Sequence, residues 1–201
     1  MKNYPSQRLS VSMKFYLIPL VFFLFVGRDV SAQQNPDTSI LKTILVNYYK
    51  TEKAIYKGRN QLLFFYCEKS NNNEEIFETV NTLKLPSDAV RQIKKQVATD
   101  IAPETWAAEL NEIYEVDKSN LKIKINSCLT LDEYQVKQKR FNLNNQRLMI
   151  VSKPVFYSNG NLALVKVVFY RSIEHNNGSV LLMEKSGDTW VIKELLNSWS
   201  T

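Results

Sequence analysis

The sequence predicts an α+β fold, a helical N-terminal half followed by a C-terminal antiparallel β-meander of about four strands. Apolar residues recur at helical spacing up to about residue 114, then alternate singly in "LKIKI" at 121–125 and beyond 148. Two Asn-Gly pairs, Asn159-Gly160 and Asn177-Gly178, also fall between β-type segments, where tight hairpin turns favour such pairs.

Taken in order, the chain opens with an address. Lys2, Arg8 and Lys14 precede the apolar run from Phe15 to Gly27, and Val30-Ser31-Ala32 offers small residues where a signal peptidase requires them. Cleavage is expected after Ala32, leaving residues 33–201 as a single domain. The run is shorter than the roughly 20 residues of a comfortable bilayer crossing, and Pro19 interrupts it. No stable membrane span is expected after cleavage. Met13 is a second plausible start, so the first twelve residues carry no argument. The address read is periplasmic or secreted.

Ile40, Leu41, Ile44, Leu45 and Tyr48 form a helical stripe after Asp37, Thr38 and Ser39, predicting an amphipathic helix to about Lys53. "QLLFFYC" at 61–67 is apolar on every side and fits a buried helix turn or a strand equally well. Helices follow with Ile76, Phe77, Val80 and Leu83; with Val90, Ile93 and Val97 after Pro86-Ser87; and with Trp106, Leu110, Ile113 and Tyr114 after Pro103. Residues 129–147 are ambiguous, though Thr130 and Glu133 have capping-box spacing. Strands are read at about 148–157, 162–173, 179–185 and 189–196.

Cys67 and Cys128 are the only cysteines. In an exported chain an isolated pair points to a disulfide. With one histidine and neither a C-x-x-C nor an H-E-x-x-H motif, metal ligation lacks partners, and no cofactor is expected. The formal charge of +6 falls to +3 when Lys2, Arg8, Lys14 and Arg28 leave with Asp29, too mild a balance to argue for nucleic acid.

His175 invites a catalytic reading. Centring a hairpin on Asn177-Gly178 pairs His175 with Val180 and Arg171 with Glu184, and places the histidine near a turn with no nucleophile or second acid in local reach. The same counting puts Lys153, Tyr157, Lys166, Tyr170 and Trp190 on one sheet face, with Lys153 opposite Lys166. Opposed like charges are unfavourable unless water, an acid or an anion separates them. This face is the candidate binding site for a small anionic or sugar-like ligand. The plainer alternative is a solvated face partly covered by residues 129–147.

"IVSKPVFYSNGNLALVKVVFYRS" and "GDTWVIKELLNSW" resemble the C-terminal part of small exported proteins of unassigned function common in Bacteroidetes. The likeness rests on Ser152 to Phe156, Ala163 to Val165 and Trp190 to Ile192, covers about a quarter of the chain, and implies an exported address. Several such proteins carry a Cys-Gly-x-x-Cys-Gly element where this chain has "IEHNNG", so no role of those cysteines transfers. Helices followed by a meander are also similar to the cone-shaped nuclear transport factor 2-like fold, which hosts enzymes and binding modules alike. The sequence therefore favours a non-catalytic domain that binds a ligand or an envelope protein. The alternative is a small hydrolase or isomerase with a cone-shaped pocket, for which no G-x-S-x-G, G-x-G-x-x-G, Walker loop or paired-carboxylate motif speaks.

Overall fold

The structure, a computed structural model, describes residues 35–50, 61–71, 73–99, 102–117, 123–141 and 147–201. The expected signal peptide, residues 1–32, lies outside them. Helix α1 (Pro36–Lys50) follows from its stripe, with Ile40, Leu41, Ile44 and Leu45 fully buried and Asp37 in the first turn, where the helix dipole favours an acid. The ambiguous run becomes strand β1 (Gln61–Tyr66). It lies between β2 (Ile123–Leu129) and β3 (Leu148–Val151), parallel to both. An interior parallel strand with both faces covered reads as continuous apolar sequence, which is why its periodicity was silent.

Helices α2 (Glu74–Thr82), α3 (Ser87–Thr99) and α4 (Ala107–Asp117) follow β1. Pro103 lies in the loop ahead of α4. Helix α5 (Leu131–Phe141) follows β2 and is held by the expected capping box: Thr130 N–H donates to Glu133 Oε2 at 2.8 Å, and Glu133 N–H to Thr130 Oγ1 at 3.3 Å. Beyond β3 come β4 (Val155–Tyr157), β5 (Leu162–Ser172), β6 (His175–Ser186) and β7 (Thr189–Ser200), all paired antiparallel. The sheet order is β2-β1-β3-β5-β6-β7, with β4 on β5 beside the end of β3. The fold is α+β, but its seven-stranded sheet is mixed and its helices are spread along the chain. The expected division into a helical half and a separate meander is corrected in this respect.

Both sheet faces are covered. On the first, Phe65, Met149, Val151, Val165, Val167, Leu181 and Met183 pack with Ile40, Leu41 and Ile44 of α1 and Leu110 and Ile113 of α4 around Trp106. On the second, Val155, Tyr157, Leu164, Val180 and Leu196 pack with Ile76 and Val80 of α2 and Ala89 and Ile93 of α3, while Phe64 and Leu148 pack with Tyr134 of α5.

The first hairpin keeps its expected register, Tyr157 opposite Leu162, with Ser158, Asn159 and Gly160 all at positive φ. Past Val155 the register changes. Val151 faces Val167, and Ser152 takes the place opposite Lys166, donating its N–H to Lys166 O and accepting Lys166 N–H at Oγ. Pro154, which has no N–H to give a ladder, sits inside this irregularity, and Lys153 is displaced from its expected position opposite Lys166. The second hairpin turns at Ile173-Glu174, not Asn177-Gly178: Ser172 faces His175, and Lys166 faces Val180. Gly178 serves a different need. A Cβ there would lie 2.4 Å from the Trp199 ring and 2.8 Å from Val167 O, so the glycine makes room for an indole instead of forming a turn. The corrected register puts Val180 and Leu182 on the face opposite Ala163 and Val165.

Candidate functional site

Cys67 and Cys128 form the expected disulfide, joining the ends of β1 and β2 with Cα atoms 4.6 Å apart. The segment after Cys67 is pinned on both sides. Cys67 N–H donates to Leu129 O, Trp106 N–H to Cys67 O, Lys69 N–H to Glu104 O, and Lys153 N–H to Ser70 O. These four bonds fix the backbone from which Lys69 projects inward.

Lys69 is 5% exposed. Its Nζ donates to Asp37 Oδ2 at 2.6 Å and to Glu109 Oε1 at 2.8 Å, lies 3.3 Å from Glu104 Oε2, and sits 4.6 Å from the centre of the Trp106 ring. Glu104 continues the network to Lys153 Nζ at 2.5 Å. Asp37 lies in the first turn of α1, Glu109 on α4 and Glu104 in the loop just before α4, so one ammonium ties the segment after β1 to two other stretches of chain. Glu109 Oε2 is buried without a hydrogen-bond partner among the described residues.

Proton affinities in this cluster follow from the sharing. Burial disfavours the Lys69 ammonium, but hydrogen bonds to Asp37 and Glu109, with their charges, more than reverse this and hold its pKa well above the ordinary lysine value. For Asp37 burial is the largest influence and outweighs the pull of Lys69, so its pKa is raised. The two directions look contradictory for one ion pair. They are reconciled by stoichiometry, because a single ammonium divides its field among three carboxylates while each acid bears its own desolvation. Glu104, held chiefly by the Lys153 hydrogen bond, is lowered. A lysine so strongly protonated is neither a base nor a nucleophile at neutral pH, and the cluster is suited to holding elements together.

The sequence-predicted site residues are placed apart. Lys166, 3% exposed, donates to Glu75 Oε2 of α2 at 2.8 Å on the second face. Lys153 is drawn to Glu104. Tyr157 packs in the second-face core and Trp190 in the first, while Tyr170 lies against the Tyr134 and Phe64 cluster. A single cleft lined by all five is not what this fold builds. His175 is exposed near the turn, its Nδ1 3.1 Å from Ser172 Oγ. Among the described residues no group of His, Cys, Asp and Glu is placed to hold a metal ion, and no helix is long and apolar enough to cross a membrane. The Lys69 cluster escaped sequence reasoning because Asp37 and Glu109 stand 32 and 40 residues from the lysine, with no local spacing to connect them.

Comparison with protein-family models, curated proteins and solved structures finds no match.

Proposed function

We propose that this chain is an exported, disulfide-locked domain that acts by binding a ligand or an envelope partner rather than by catalysis. The observation that carries the reading is the Cys67–Cys128 disulfide, since such bonds persist in oxidising compartments. The basic start, short apolar run and Val30-Ser31-Ala32 support the address, as does the resemblance of the C-terminal strands to small exported Bacteroidetes proteins. The preference for binding draws support from how the buried charges are used: Lys69, Lys153 and Lys166 each meet an acid of the same chain. Such pairs hold helices onto a sheet and leave no activated nucleophile in the cluster.

Protein recovered from its host tests the address. Mass spectrometry should find Gln33, free or cyclised, as the N-terminal residue, and non-reducing peptide mapping should find Cys67 joined to Cys128. Retention of residues 15–27, or two freely alkylated thiols, contradicts export with cleavage into an oxidising compartment.

A further inference from the structure

Between Glu133 and Glu174 the chain contains no acidic residue. Two basic residues of this stretch, Lys153 and Lys166, are neutralised by acids from elsewhere. Of the others, Lys137 and Lys139 belong to α5, Arg147 precedes β3, and Arg171 lies near the end of β5. The topology brings these four to one corner of the domain. Leu148 pairs with Tyr170, so Arg147, just before β3, and Arg171 both adjoin the last pair of this ladder. Helix α5 is fastened over the same strand end, since Gln138 Nε2 donates to Arg171 O at 3.4 Å and Tyr134 O–H donates to Tyr170 O at 3.3 Å.

Lys139 and Arg147 are exposed, while Lys137 and Arg171 are half-buried. Arg147 bonds the neutral Asn177 Oδ1 at 2.9 Å. The acids of α5, Asp132 and Glu133, belong to its first turn. Glu133 acts on Lys137 one turn further along α5, and Glu174 in the β5–β6 turn also borders the corner. Two apolar side chains accompany the charge: Val136 on α5 is 64% exposed, and Ile173, two residues after Arg171, is 83% exposed. Like charges brought close together repel one another, and an anion between them relieves that repulsion.

We propose that this corner is a docking surface for an anionic lipid membrane, with the basic side chains on the headgroups and Val136 and Ile173 entering the interface. Basic residues interspersed with exposed apolar ones are the combination that peripheral association with an anionic bilayer uses. A soluble anion would satisfy the charges but gives no reason to expose the apolar side chains. The inference is independent of the export reading, because anionic lipid is the partner in either case.

The test is vesicle co-sedimentation of the full chain as its host produces it, using phosphatidylcholine vesicles with and without roughly a third phosphatidylglycerol. Binding to the anionic vesicles alone is expected, with loss at about 1 M salt, where the screening length is about 3 Å. Each basic residue near such a surface is worth about fivefold in partitioning, so Lys137→Gln with Lys139→Gln should weaken binding about thirtyfold. Lys94→Gln with Lys95→Gln on α3, which removes the same charge elsewhere, should change it far less. Ile173→Ser should weaken binding severalfold while leaving its salt dependence intact, a result that a purely electrostatic contact does not give. Equal binding to neutral vesicles, equal loss in the two double variants, or preferential binding of a DNA oligonucleotide or inorganic phosphate would each overturn the proposal. Circular dichroism of each variant establishes that the fold is retained.

Discussion

The two faces of the sheet each bury a lysine, and they solve the problem differently. On the first, Lys69 is met by three carboxylates and an indole ring. On the second, the one acid that meets Lys166 among the described residues is Glu75, whose side chain keeps 27% of its surface exposed. A buried ammonium needs a partner and its remaining hydrogen bonds satisfied. The first face supplies these from α1, the loop before α4, and α4, so that Lys69 joins elements distant in sequence. The second leaves water to reach the acid. The first is therefore a cross-brace whose loss leaves the acids of α1, α4 and the loop before α4 without their shared cation, and the second is a local clip.

Lys69→Met breaks the comparison most severely. It leaves three carboxylates without their shared cation, and removing one partner of a buried ionic cluster costs roughly 3–5 kcal/mol. Urea unfolding followed by circular dichroism should show the loss as a lower midpoint. Opening the disulfide with Cys67→Ala and Cys128→Ala comes next. The two cysteines are 61 residues apart, a closure that the chain-entropy model values at about 4 kcal/mol, with native bridges commonly delivering about 2–4. Lys166→Met should cost less than Lys69→Met, about 1–2 kcal/mol, because partly hydrated Glu75 is less penalised when left alone. Comparable losses in the two lysine variants would erase the distinction between brace and clip.

The smallest expected effect concerns pH. Glu104 is depressed, so its contribution is present above the ordinary carboxylate range and is lost as the pH falls through its folded value. Asp37 is raised, so its contribution has the opposite sign: it favours the fold in acid and weakens as the pH rises through its folded value. Raised Lys69 keeps its contribution through neutral pH and loses it only in strong alkali. The two acids partly cancel, so acid should destabilise the wild type gently. Asp37→Asn should make the acid loss steeper and Glu104→Gln should make it shallower, as read from unfolding midpoints across pH.

Much of this architecture is legible in the sequence where a signal is local. The α1 stripe from Ile40 to Leu45, the Thr130/Glu133 capping box and the Asn159-Gly160 turn each depend on residues a few positions apart. The disulfide is legible from cysteine count and context. What escaped depends on distance. The run "QLLFFYC" hides a strand because helices cover both its faces, and Gly178 imitates a turn residue when its actual role is to admit Trp199 from another strand. That one misreading moved the β5–β6 register by an odd number of positions, which exchanges the two faces of β6. It placed Trp190 on the wrong face, while the apparent opposition of Lys153 and Lys166 followed from the unseen irregularity around Pro154. In the fold the acids Glu75 and Glu104 arrive from helix and loop segments to claim Lys166 and Lys153.

The central claim is that the buried lysines belong to the interior and not to an open ligand cleft. Amine footprinting of the folded protein, with acetylation read residue by residue by mass spectrometry, tests it most directly. Lys69 and Lys166, whose side chains are each 4% exposed, should stay unmodified while Lys94, Lys95 and Lys139 react, and should become reactive only on unfolding. Modification of Lys166 at the rate of these surface lysines would show that the second face is open and contradict the account.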